Sequence, residues 1–86
     1  MVSRRIKITN LTGLYVISTG KFCDVAVRFK SSIKFKHDET TSNAKSILSV
    51  LGSGIKMGDE IELICEGEDE EEAMEQMVSV IESKLD

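Results

Sequence analysis

The chain has 86 residues, of which 41% are hydrophobic and 30% charged, with a formal net charge of -4 at pH 7. So short a chain buries only somewhat more than ~60% of its unfolded surface and forms one domain, 1–86, because the core cannot be divided. The acidic balance argues against a direct nucleic-acid binder. No apolar run approaches the roughly 20 residues of a membrane span, and Met1-Val2-Ser3-Arg4-Arg5-Ile6 lacks the apolar centre of a signal peptide, so a soluble cytoplasmic protein is expected.

Val2 to Thr9 alternates, with Val2, Arg4, Ile6 and Ile8 on one side, and predicts a first strand covered on one face. Asn10-Leu11-Thr12-Gly13 reads as a turn, and Phe22, Ala26 and Phe29 recur at helical spacing in a helix starting between Val16 and Thr19. Its β-branched residues and Gly20 weaken local propensity, so packing must hold it. After the polar break Ser31-Ser32, Ile33 to His37 alternates as a second strand. His37-Asp38-Glu39-Thr40 then turns the chain back into a short third strand, Thr40-Thr41-Ser42.

Asn43-Ala44-Lys45-Ser46-Ile47-Leu48-Ser49-Val50-Leu51-Gly52 joins that strand to a short apolar helix. Ser46 is placed to cap it, and Gly52 and Gly54 are places for it to stop. One or two turns gather Ile47, Leu48 and Leu51 on one side. Local pattern alone assigns that side to the core; the functional alternative is a docking patch with a modifiable hydroxyl at its positive end.

Glu60 to Glu66 predicts a fourth strand, with Ile61, Leu63 and Cys65 on one face and Glu60, Glu62, Ile64 and Glu66 on the other. Asp69 followed by Glu72 fits a capping box, and Ala73, Met74, Met77, Ile81 and Leu85 line one face of a final helix from Glu70 to Lys84. The order is β, α, β, β, α, β, α, an α+β domain with helices on one face of an antiparallel sheet. Cys23 and Cys65 stand alone in apolar contexts with a single histidine, His37, so reduced, partly buried thiols are expected, with no metal and no cofactor.

Along these stretches the chain resembles the histidine-containing phosphocarrier protein (HPr) family of the bacterial sugar phosphotransferase system. The match is strongest in Asn43 to Leu51, in Gly67-Glu68-Asp69-Glu70 and in Thr12-Gly13-Leu14. The resemblance implies an open-faced β-sandwich with strand order 1-4-2-3 and three helices on one face. That order places acidic strand four between basic strands one and two. Arg5 and Lys7 on one flank, and Lys34 and Lys36 on the other, would then face Glu60, Glu62 and Glu66, each cross-strand pair contributing roughly 0.2–1 kcal/mol.

The family transfers phosphate through a histidine directly after the Gly-Leu turn, followed by an arginine and a helix-opening proline. Here those positions read Tyr15, Ile17 and Ser18. An imidazole is nucleophilic near neutral pH and its phosphoryl adduct is labile, whereas a phenol with a pKa of about 10 gives a stable ester ill suited to relay. The catalytic residue is therefore absent, and no enzyme is expected.

Ser46 keeps its family context. In HPr-like proteins of many Gram-positive bacteria the resemblance implies phosphorylation of this serine by a dedicated kinase and binding of the product to a transcription regulator. The catabolite-repression variant likewise lacks the histidine and keeps the serine. The expectation is a regulatory adaptor switched at Ser46, docking through Tyr15, Ile17, Lys45, Ile47, Leu48 and Leu51. The alternatives are a protein-binding or self-associating module, such as a homodimer, without phosphorylation, and a phosphocarrier that uses Tyr15 or His37.

Overall fold

The structure, a computed structural model, describes residues 1–8, 16–56 and 58–82, with the backbone alone for 16–19. Among them the elements are β1 (Val2–Lys7), α1 (Val16–Ala26), β2 (Ser32–His37), β3 (Thr40–Asn43), α2 (Ile47–Gly52), β4 (Glu60–Glu66) and α3 (Glu70–Glu82). The predicted turn 10–13 and the stretch after Glu82, including Lys84 and Leu85, lie outside the described residues. The strands form one antiparallel sheet in the order β1-β4-β2-β3, as the resemblance implied.

Alternation decides which side of the sheet is covered. Ile33, Phe35, Ile61, Leu63 and Cys65 are buried beneath it with Ile6 and Ile8, against Phe22, Cys23 and Ala26 of α1 and Ala73, Met74, Met77, Val78 and Ile81 of α3. Phe22 meets Phe35 edge to face with ring centroids 6.0 Å apart, the arrangement that aromatic quadrupoles favour. Arg4 shares the inward parity of β1 yet is exposed, because β1 is an edge strand and Arg4 lines a shallow hollow with Glu75, Val78, Ser79 and Glu82 of α3. Both cysteines are free and buried, and burial pushes both thiols up.

The open face is less extensively paired than expected. Arg5 directs Nε and Nη2 to Glu60 Oε1, each at 2.9 Å. Lys7 and Lys36 stand opposite Glu60 and Glu62 in register, and Lys34 stands opposite Ile64. Among the described residues, none of these three lysines forms an ion pair within 4.0 Å. Flexible exposed ammonium groups gain too little from one fixed geometry in water to be held there. Ile64, expected to be exposed on this face, is half-buried.

The entry to α3 also departs from its local signature. The Asp69 carboxylate accepts from the Lys30 N–H (3.0 Å), the Ser31 N–H (2.9 Å) and the Ser31 hydroxyl instead of capping Glu72. Ahead of the helix, Glu70 Oε1 accepts from the Gly67 N–H at 3.1 Å and the Glu70 N–H donates to the Gly67 carbonyl at 3.3 Å, which closes a turn at 67–70. Ser31, expected as part of a polar break, is buried in this clasp.

The Ser31 hydroxyl and the Lys30 and Ser31 amides hold the Asp69 carboxyl at about 2, below its ordinary 3.8. A carboxyl whose folded pKa is depressed adds stability that is complete above its unfolded pKa and is lost as pH falls through the folded one. Urea midpoints are therefore expected to fall between about pH 4 and pH 2, and Asp69→Asn should lack that component of the acid dependence. Parallel midpoint curves for the two proteins across this window would contradict the assignment.

Candidate functional site

The site is built on α2 and the turn that leads into it. Ala44 N–H donates to the Ile33 carbonyl (2.9 Å), Lys45 N–H to Asn43 Oδ1 (2.9 Å) and Ser46 N–H to the Asn43 carbonyl (3.1 Å). These bonds pin the backbone from β3 to the helix. Ser46 has the extended geometry of an N-cap, φ -107° and ψ 115°, and its Oγ accepts from the Ser49 N–H at 3.3 Å. Its carbonyl takes the Val50 N–H at 3.0 Å. The helix ends where Ser53 donates both N–H and Oγ to the Val50 carbonyl, with Gly54 beyond it at φ 70°.

The core assignment read from local pattern is overturned. Ile47, Leu48 and Leu51 are 52%, 83% and 38% exposed, while Val50 is 1% exposed and is the α2 side chain in the core. The four residues lie on two sides of a single turn and a half, and both sides are apolar, so hydrophobic pattern cannot choose between them. Burial goes to the side that meets α1 and β3, the neighbours of α2. Val50 was the residue missed. Its β-branched shape is a weak hint that no local rule turns into burial.

Lys45 is half-buried and directs its ammonium inward, donating to the Phe29 carbonyl just beyond α1 at 2.7 Å. This contact had no signal in the sequence. Tyr15 lies outside the described residues, as do the side chains of Ile17 and Ser18. His37 is elsewhere, at the end of β2, with Nε2 3.3 Å from Asp59 Oδ2 and 3.9 Å from Asp38 Oδ2. Asp38 takes φ 57° in the tight turn, a conformation its short polar side chain tolerates.

A polar hollow beside His37 is lined by Arg5, Lys36, Asp59, Glu60 and Glu62, so its charges are mixed. Among the described residues no group of three His, Cys, Asp or Glu side chains is arranged to hold a metal ion, and no helix is long and apolar enough to cross a membrane.

The combination of a serine-capped α2, the 1-4-2-3 sheet and the α3 entry is matched by a known family. The model for the PTS HPr component phosphorylation site covers residues 2–83. This chain belongs to the HPr family. The HPr-like protein Crh of Halalkalibacterium halodurans is 38% identical over 84 residues, covering 98% of this chain and 100% of that one. HPr-C-His from Thermoanaerobacter tengcongensis has a crystal structure with a TM-score of 0.95 at 39% identity, covering 99% of this chain and 96% of that one. The crystal structure of Crh from Bacillus subtilis, a dimer with a swapping domain, has a TM-score of 0.79 at 32% identity, covering 98% and 97%.

HPr-family proteins are phosphocarriers. In this HPr-family chain the described part of the fold retains a half-buried serine hydroxyl at the N-cap of α2 and three exposed apolar side chains on the same helix.

Proposed function

We propose that this chain has left histidine phosphotransfer and works in the cytoplasm as a regulatory adaptor of the phosphotransferase system, switched by phosphorylation at Ser46. The observation that carries the reading is the exposure of Ile47, Leu48 and Leu51 directly after the Ser46 cap. Three exposed apolar side chains on one short helix are a docking face for a protein partner. A dianionic phosphate beside them changes both the charge and the hydrogen-bonding capacity of that face. The reading also counts Tyr15, Ile17 and Lys45 among the partner-binding residues, and the partners are a Ser kinase and a transcription regulator.

In the modification step Ser46 Oγ attacks the γ-phosphorus of ATP, its proton passes to the kinase's general base, and ADP leaves. A carrier role for His37 is disfavoured by its neighbours, because a phosphoryl group on Nε2 would face the Asp59 and Asp38 carboxylates. Tyr15 gives too stable an ester for relay.

Incubation with an HPr-type Ser kinase and ATP is expected to label the wild-type chain and leave Ser46→Ala unlabelled. Equal labelling of both, or of neither, overturns the reading. Self-association without phosphorylation is the second reading, favoured by the dimer of the similar Crh. Light scattering on the same samples separates the two: a dimer that takes no label supports the second.

A further inference from the structure

We propose that Lys45 is a positioning residue that couples the Ser46 switch to the C-terminal turn of α1. Its ammonium holds the Phe29 carbonyl while Ser46 is unmodified and leaves it for a phosphate on Ser46. The inference rests on Ser46 being the phosphorylated group.

The α1 end needs such a tie. Val27 N–H still reaches the Cys23 carbonyl at 3.0 Å, but Arg28 and Phe29 bond only three residues back, to Val25 (3.1 Å) and Ala26 (3.3 Å). These are the tightened, weakening bonds of a helix running out. The Phe29 carbonyl that follows takes the Lys45 ammonium, an interaction that cations commonly make with terminal helix carbonyls. On the other side, Lys30 and Ser31 donate to Asp69. Residues 29–31 are thus held between a cation from the α2 entry and an anion from the α3 entry.

The backbone around Ser46 is pinned at Ala44, Lys45 and Ser46, so the Lys45 side chain is the part free to respond. Its competing acceptors would be a neutral carbonyl and a phosphate carrying about -1.5 to -2 charges on the adjacent residue; the ammonium donates in both bonds, but only the phosphate adds the attraction of an opposite charge. The nearest other described cations in sequence are Lys36 and Lys56, ten positions away, and the β2–β3 register sets Lys34 opposite Asn43, so Lys45 is the cation adjacent to Ser46 in the chain. Release of Phe29 loosens a turn that carries the exposed Val27. A partner of the phosphorylated form therefore meets a new charge at Ser46 and an altered surface at residues 27–29.

The test uses the full chain in four forms, with serine or phosphoserine at position 46 and with Lys45 or Lys45→Met. Phosphoserine is installed by suppressor tRNA, so no kinase is involved. Amide exchange of Arg28 and Phe29 is followed by NMR. Lys45→Met is expected to speed exchange about fivefold to tenfold in the unmodified chain, and phosphoserine should do the same with Lys45 present. The two changes together should add nothing further, and Lys45→Arg should keep the protection.

Unchanged exchange on phosphoserine incorporation overturns the coupling, and so does unchanged exchange in unmodified Lys45→Met. A second measurement needs no substitution at Lys45: in the phosphoserine chain its side-chain ammonium resonance should follow the titration of the phosphate near pH ~6. A resonance that ignores that titration also overturns the proposal. Failure of a kinase to label Ser46 would overturn the proposed function and leave these outcomes untouched.

Discussion

Replacing Gly67 with alanine is expected to cost about 3 kcal/mol, lowering the thermal midpoint by roughly 12–24 °C for a domain of this size. Gly67 has φ 149°, and a Cβ built there would lie 2.7 Å from both the Cα and the Oγ of Ser31. Neither atom can yield cheaply. The first is backbone, and the second donates to Asp69 within the clasp that joins α3 to the β2 entry. Gly54→Ala is the control, because φ is positive there as well, at +70°, but nothing lies within 4 Å of the added Cβ. That change should cost only about 1 kcal/mol of backbone strain. Similar losses for the two substitutions in urea denaturation would show that the Ser31 contact relaxes at little cost.

The second large effect separates the two sides of α2. Val50→Ala is expected to destabilise the fold by about 2 kcal/mol, since it removes two methyl groups from a fully buried site and leaves space that the short helix fills poorly. Leu48→Ala removes more carbon from a side chain that is 83% exposed. It should leave stability within about 0.5 kcal/mol while weakening capture of any partner of the phosphorylated chain. Equal destabilisation by both substitutions would mean that Leu48 is covered and that α2 offers no docking face.

Much of the fold was legible before any coordinates. β4 is legible at its observed limits because Ile61, Leu63 and Cys65 alternate between glutamates despite the apolar Ile64 on the acidic face, and the start of α3 at Glu70 because its apolar positions repeat at 3.6 over several turns; its expected end at Lys84 lies outside the described residues. Ser46 as the cap of α2 was legible for the same local reason: a short side-chain acceptor three residues before the N–H it binds. The strand order came from the family resemblance, since alternation assigns faces to strands but does not rank them across a sheet.

The errors have a common origin in contacts distant along the chain. Asp69 has the local signature of a capping-box residue, but its carboxylate is taken by Lys30 and Ser31, 39 and 38 residues away. Lys45 likewise carries no local sign of its partner, the Phe29 carbonyl, which lies 16 positions away.

The sequence by itself determined the elements, the burial of alternate strand residues and the presence of a capped serine, because each depends on a few neighbours and a fixed period. Tertiary structure decided which side of α2 is covered. Both sides of that six-residue helix are apolar, and burial follows from where α1 and β3 lie. That placement makes Val50 the anchor and leaves Ile47, Leu48 and Leu51 facing outward beside Ser46.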